Sequence, residues 1–139
     1  MILRLTKEFN FEMAHALTGY DGKCRNLHGH SYRLFVTIEG SPIADETSPK
    51  QGMVIDFGDL KHIVNETIME PFDHALVLSQ NSPYNKGFDT KTVLVPFQPT
   101  CENLLIHFAG LLADKVPKGV KIHSLKLYET ATSYAVLIL

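Results

Sequence analysis

The 139-residue sequence has few cysteines, almost no excess of charge of one sign and no long apolar run. Its two cysteines, Cys24 and Cys101, are too few for a disulfide scaffold. Thirteen basic residues against fifteen acidic ones give a net charge of −2, which argues against a nucleic-acid partner. No apolar stretch approaches the roughly 20 residues that cross a bilayer, and no secretory signal pattern follows Met1. We therefore expect one cytoplasmic domain over residues 1–139, with no nucleic-acid or membrane partner.

Two segments alternate apolar and polar residues with a period of two, which predicts half-buried strands. In the first segment the apolar residues fall on odd positions: Leu3, Leu5, Phe9, Phe11 and Met13. In the second they fall on even positions: Tyr32, Leu34, Val36 and Ile38. A turn-rich stretch lies between the two segments, and we expect the strands to pair antiparallel.

Two helices are predicted, each from a capping residue that precedes apolar residues at helical spacing. The first helix is capped by Asp56 and runs to about Glu70, where Pro71 ends it. The second helix is capped by Thr100. Between the two helices, Asn81–Gly87 has the composition of a loop.

Three further strands are predicted in the second half of the chain. Thr92–Phe97 is a short candidate, and Val120–Leu127 alternates with a phase slip between Ile122 and Leu125 that indicates a β-bulge. Tyr134–Leu139 closes the sheet. Strands in an antiparallel arrangement together with two helices predict an α+β domain.

Three of the seven histidines are predicted to share one face of the sheet. His28 and His30 are separated by one residue on the second strand, and His15 continues the apolar parity of the first strand. Three imidazoles that leave one position open form the pattern of a catalytic zinc site; the alternative is that they are ordinary strand residues. Cys24 fits either a fourth metal ligand or a reactive thiolate, and the spacing does not distinguish the two.

Five motifs occur in an order that resembles the 6-pyruvoyltetrahydropterin synthase / 6-carboxytetrahydropterin synthase family. They are FEMAHAL from Phe11, CRNLHGH from Cys24, Asp73-His74, PTCENL from Pro99 and YETATSYA from Tyr128. The resemblance implies the tunnelling fold, a four-stranded antiparallel sheet with two helices on one face. It also implies a homo-oligomer in which sheets join around a trimer barrel, with two barrels back to back in a hexamer and active sites at subunit interfaces.

The resemblance also implies which residues form the site and which ion they hold. The set comprises Zn²⁺ ligands His15, His28 and His30, catalytic residues Cys24, Asp73 and His74, and substrate-binding residues Glu129, Thr100 and Glu102. On this basis the histidines form the metal cage and the cysteine acts as the acid–base group.

The implied reaction converts 7,8-dihydroneopterin triphosphate to 6-carboxy-5,6,7,8-tetrahydropterin, with release of acetaldehyde and triphosphate, in queuosine biosynthesis. The short spacing Cys-x-x-x-His-Gly-His is similar to that of the carboxy-producing branch. The alternatives are a pyruvoyl-producing enzyme on the same scaffold and a non-catalytic zinc- or pterin-binding module.

The sequence departs from the family pattern in two places. Ala75–Gln98 looks like an insertion where the family usually has a short connection. Position 101 is a cysteine, which is either a second thiol near the site or a small buried residue at a helix start. Lys23 and Arg25 flank Cys24 and are candidate ligands for the triphosphate.

Overall fold

The structure is a computed structural model that describes residues 1–86 and 88–139. Its strands are β1 (Leu3–His15), β2 (His28–Gly40), β3 (Ala75–Ser79), β4 (Thr92–Val95), β5 (Val120–Tyr128) and β6 (Tyr134–Ile138). Its helices are α1 (Phe57–Val64), α2 (Glu70–Phe72) and α3 (Cys101–Leu112), with a π-helical turn over Asn65–Met69 and a 3-10 turn over Lys23–Arg25. Gly87, the last residue of the predicted loop Asn81–Gly87, lies outside the described residues. Within the described residues, no helix is long and apolar enough to cross a membrane.

Strands β1, β2, β5 and β6 form the antiparallel sheet that the alternation predicts. β1 and β2 pair along their whole length, from Leu3 opposite Gly40 to His15 opposite His28. β5 pairs with β2, and β6 pairs with β5. The predicted bulge is present, because Ser124 lies opposite Thr37 while Ile122 lies opposite Ile38, leaving His123 without a partner on β2.

Two further strands extend this sheet to six, in the order β4-β3-β1-β2-β5-β6. Both come from Ala75–Gln98, and they pair parallel: β3 with β1, and β4 with β3. The sheet is therefore six-stranded and mixed rather than four-stranded and purely antiparallel. β3 was not predicted, since all its residues are buried and its sequence has no alternation. It pairs with β1 only along Met13–His15.

The helices begin at the predicted capping residues. Asp56 Oδ1 accepts a hydrogen bond from the backbone N–H of Gly58 at 2.7 Å, and Thr100 Oγ1 accepts one from Asn103 at 3.1 Å. The first helical segment continues through the π-helical turn and α2 to Phe72, beyond the predicted end at about Glu70. The π-helical turn ends at Met69, two residues before Pro71, whose nitrogen cannot donate a hydrogen bond.

The helices cover the face of the sheet that carries the apolar alternation. Phe11 of β1 stacks on Tyr32 of β2 with 5.1 Å between ring centroids, and meets Phe108 of α3 edge-on at 6.2 Å. The histidines that continue the parity of these strands therefore point toward the helices, at the loop end of the β1–β2 hairpin.

Candidate active site

His15, His28 and His30 converge at the loop end of the β1–β2 hairpin. One ring nitrogen of each lies within 4.8 Å of the corresponding nitrogens of the other two. The ring centroids are 4.6 Å apart for His15 and His28, 4.7 Å for His28 and His30, and 5.1 Å for His15 and His30. Strand register creates this cluster, because His15 lies directly opposite His28 and His30 follows two positions after His28 on the same face.

Backbone carbonyls behind the rings fix which nitrogens are free. His15 Nδ1 donates to the Pro99 carbonyl at 2.7 Å, and His28 Nδ1 donates to the Asn26 carbonyl at 2.6 Å. A carbonyl oxygen only accepts, so Nδ1 carries the proton in each ring and Nε2 of the neutral ring carries a lone pair. These two Nε2 atoms are 3.1 Å apart. Two lone pairs at this distance repel each other unless a cation lies between them.

The donor set fits a transition-metal ion. His30 Nε2 is buried and has no hydrogen-bond partner within the described residues, so it also offers a free ring nitrogen. Burial lowers the pKa of His15 and of His30, which favours the neutral, ligating form over the weaker opposing effect of Glu129. Tetrahedral zinc with bonds of about 2.0–2.1 Å places its nitrogen ligands about 3.3 Å apart, close to the observed separation.

Glu129 lies beside the histidine cluster without belonging to it. Its Oε1 is 3.6 Å from His15 Nε2 and 3.9 Å from His30 Nε2. The carboxylate does not belong to the group of potential metal ligands, because only the ring nitrogens of the three histidines all lie within 4.8 Å of one another. Its backbone N–H donates to the Ser133 carbonyl at 3.1 Å, so the turn between β5 and β6 holds the residue in place.

Cys24 precedes His28 by four residues but is not a member of the histidine cluster. It is half-buried in the 3-10 turn over Lys23–Arg25, and its carbonyl accepts a hydrogen bond from Leu17 at 2.8 Å. Within the described residues, the three histidines are the only group of three or more side chains whose potential metal-ligand atoms all lie within 4.8 Å of one another. The geometry therefore favours a free thiol over a fourth ligand. Lys23 and Arg25 flank the thiol in sequence.

Asp73 and His74 form a hydrogen-bonded pair at the edge of β1. Asp73 Oδ1 is 2.9 Å from His74 Nδ1 and also accepts the backbone N–H of Glu12 at 2.9 Å. The His74 N–H donates to the Glu12 carbonyl at 2.6 Å. The His74 side chain is 75% exposed, and His74 lines a cavity of about 460 Å³ whose other lining residues include Ser31 and His30. Within the described residues, no hydrogen bond joins this pair to Cys24 or to the histidine cluster.

The start of α3 contributes a cap, an exposed acid and a buried thiol. Thr100 caps the helix and Glu102 is exposed in its first turn. Cys101 is buried, and its Sγ donates to the Leu127 carbonyl at 3.3 Å. Burial, followed by the charge of Glu129, raises the pKa of Cys101 to about 11, so this thiol stays protonated at neutral pH.

Tyr32 is a site residue that the sequence pattern identifies only as part of the apolar face. The residue is buried, and its hydroxyl has no hydrogen-bond partner within the described part of the chain. Its ring lies edge-on to His30 with 5.6 Å between centroids. Burial, followed by the charge of Glu129, raises the pKa of Tyr32. The available signal was its polar tip on an apolar strand face two residues after His30.

Comparisons with known proteins agree on one family. The family described as 6-pyruvoyl tetrahydropterin synthase matches residues 4–138. The chain is 41% identical over 140 residues to the 6-carboxy-5,6,7,8-tetrahydropterin synthase of Haemophilus influenzae, covering 96% of each protein.

Solved structures with a similar fold include an uncharacterized protein from Wolinella succinogenes, with a TM-score of 0.80, 24% identity and coverage of 99% of this chain and 98% of that one. The 6-pyruvoyl tetrahydropterin synthase of Plasmodium vivax has a TM-score of 0.76 and 20% identity, covering 99% and 97% of the two chains. At these identities the structures support the fold.

We expect the purified protein to hold about one transition-metal ion per chain through the three histidines. His28→Ala should lower the metal content, measured by plasma mass spectrometry, at least about tenfold, because a three-ligand site has no spare donor. His62→Ala, which removes an exposed histidine on α1, should leave the metal content unchanged. Full metal content in His28→Ala would contradict the assignment.

Proposed function

Because the chain belongs to the 6-pyruvoyl tetrahydropterin synthase family, we propose that it is a zinc-dependent lyase that produces 6-carboxy-5,6,7,8-tetrahydropterin. Its substrates are 7,8-dihydroneopterin triphosphate and one water molecule, and acetaldehyde and triphosphate are released. The proposal places this reaction in the cytoplasm and in queuosine biosynthesis. It is supported by near full-length similarity to a synthase of that name, together with the short Cys-to-His spacing.

The observation that carries the proposal is the orientation of three free imidazole nitrogens toward one point beside a carboxylate. When bound there, zinc supplies a Lewis acid that polarises the side-chain hydroxyls of the substrate. Cys24 then removes a proton from the substrate side chain as a thiolate. Asp73 orients His74 for a second proton transfer, as their 2.9 Å hydrogen bond supports.

Glu129 is proposed as the anchor of the pterin ring. A carboxylate can accept two parallel N–H groups from the 2-amino-pyrimidinone edge, which fixes the ring orientation. The position of Glu129 next to His15 and His30 brings a ring held in this way close to the metal ligands. Thr100 and Glu102, at the start of α3, are proposed as further substrate contacts.

The second candidate function is a pyruvoyl-producing synthase on the same fold, as the similarity to the Plasmodium vivax enzyme's structure allows. The two reactions differ in carbon–carbon cleavage. Incubation with 7,8-dihydroneopterin triphosphate should give the 6-carboxy product by mass spectrometry and an equimolar amount of acetaldehyde. A product that keeps the three-carbon side chain would establish the second candidate, and unchanged substrate with tight pterin binding would indicate a binding module.

Cys24→Ala should separate a catalytic thiol from a metal ligand. We expect the zinc content to stay near one per chain, because Cys24 is outside the histidine cluster. The rate should fall by about 10²–10⁴, the usual contribution of a positioned acid–base group. Cys101→Ala is the matched control and should retain the rate, since that thiol stays protonated. Loss of zinc from Cys24→Ala, with activity restored by excess metal, would place the cysteine in the cage.

Glu129→Ala should weaken binding of 7,8-dihydroneopterin, measured by titration calorimetry, while zinc content is retained. Removal of a charged hydrogen-bond partner costs roughly 1.5–3 kcal/mol, or about 10- to 150-fold in affinity. Glu46→Ala, which removes an exposed acid from a distant loop, should have no effect on binding. An unchanged affinity would move the anchor elsewhere, and loss of zinc would make Glu129 a metal ligand.

The two open edges of the antiparallel sheet support assembly into a homo-oligomer. β3 covers β1 only along Met13–His15, so residues 3–12 have no strand beyond them within the described chain. β6 forms the other edge and runs antiparallel to β1. β6 of one copy can therefore pair with β1 of the next and close a barrel, of three copies by the family resemblance.

Such pairing completes the proposed active site across the interface. Asp73 and His74 bind the backbone of Glu12 at the open edge of β1. Glu129 lies in the turn that precedes β6. When β6 of one copy lies against β1 of the next, the Asp73–His74 pair of the second copy approaches the histidine cluster of the first.

Light scattering should give a mass three or six times the 15.6 kDa of one chain. Val136→Pro should shift this mass toward the monomer. The backbone N–H of Glu129 donates to Ser133, and that of Leu139 donates to His123, so the odd-numbered residues of β6 point their backbone N–H and C=O groups toward β5. The even-numbered residues point theirs the other way, and the Val136 N–H therefore faces the open edge, where a proline has no N–H to offer. Val136→Ala keeps that N–H and should stay oligomeric. A monomeric native protein at micromolar concentration would rule the assembly out.

A further inference from the structure

Lys91 connects the two sides of the Asp73–His74 pair. It belongs to Ala75–Gln98 and directly precedes β4. Its ammonium group donates to the carbonyl oxygen of Glu70 and, at 2.8 Å, to that of Asp73. Its own carbonyl accepts the N–H of Leu76 at 2.9 Å. One residue therefore binds Asp73, immediately before His74, and Leu76, two positions after it.

The backbone that Lys91 binds is strained. His74 has a φ of 62°, and it is the one non-glycine residue with positive φ within the described part of the chain. For a residue with a Cβ, this conformation is energetically unfavourable and persists only when surrounding contacts enforce it. The backbone of Glu12 supplies two such contacts, to Asp73 Oδ1 and to the His74 N–H. Both of these lie on the β1 side.

Lys91 supplies the contacts on the other side. The carbonyls of Glu70 and Asp73 lie at the end of α2, where the last helical carbonyls have no partner within the helix. A lysine ammonium satisfies such carbonyls and interacts favourably with the negative end of the helix dipole. The Asp73 carbonyl belongs to the peptide that leads into His74, so its hydrogen bond to Lys91 restricts rotation of that peptide.

We propose that Lys91 is a positioning residue for the Asp73–His74 pair, and that Ala75–Gln98 therefore contributes to catalysis by supplying it. The ammonium holds the strained peptide at His74 so that the imidazole keeps one orientation toward the substrate. This inference rests on the proposed role of Asp73 and His74 in proton transfer. Lys91 itself does not touch the substrate.

The test compares Lys91→Met, Lys91→Arg and the control Lys118→Met, which removes an exposed lysine from the turn before β5. Lys91→Met should lower kcat about 10- to 100-fold, the size expected when a catalytic group is displaced by about 1 Å. KM and zinc content should stay within about twofold. Lys91→Arg should recover most of kcat because it keeps the charge and the donors. Lys118→Met should match the unmodified protein.

A double-mutant cycle separates positioning from a general structural effect. In a His74→Ala background, Lys91→Met should cause no further loss of kcat, because the group that it positions is gone. Additive losses, or a loss of kcat in Lys91→Met that parallels a loss of folded protein in thermal unfolding, would overturn the inference. Reduced kcat in His74→Ala with full kcat in Lys91→Met would overturn it while leaving the proposed function intact. Full kcat in His74→Ala would overturn both the inference and the proposed role of His74 in proton transfer.

Discussion

Two hydrogen bonds from histidine rings to backbone carbonyls determine the direction of the lone pairs on which the site depends. His15 Nδ1 donates to Pro99, and His28 Nδ1 donates to Asn26. Without these carbonyls each ring is free to place either nitrogen toward its neighbour, and the cluster is no longer a defined donor set. Pro99 immediately precedes Thr100, the cap of α3, so the position of this helix on the sheet also sets the orientation of the His15 ring on β1.

The sheet separates the chemistry of one chain into two locations. The histidine cluster faces the helices, where burial lowers the pKa of His15 and of His30 and the carboxylate of Glu129 lies alongside. The Asp73–His74 pair lies at the open edge of β1, where the His74 side chain is exposed. Half of the proposed acid–base machinery therefore lies on the same edge of β1 that favours pairing with a neighbouring strand.

The sequence predicts the parts of the fold whose side chains alternate or cap. Period-two alternation identifies β1 and β2, and its parity alone places His15, His28 and His30 on one face. β3 is not predicted, because burial on both faces removes the alternation. The hydrogen bonds of Lys91 cannot be predicted from the sequence either, because its partners are backbone carbonyls, which every residue type has. Tyr32 lies between these cases. Its parity is clear from the sequence, but only the structure shows that its buried hydroxyl has no hydrogen-bond partner among the described residues.

The short contact between β3 and β1 has a consequence for how this lineage can diversify. β3 pairs only with Met13–His15 of β1, and the backbone of Glu12 binds Asp73 and His74. Ala75–Gln98 therefore adds two strands while residues 3–11 of β1 keep an edge with no neighbouring strand within the described chain. Residues can be gained or lost beyond this junction without changing the register of β1 against β2 or the surface available to a neighbouring copy. The junction after His74 is thus a point where the chain can acquire new segments over evolutionary time while the hairpin that carries the histidines stays the same.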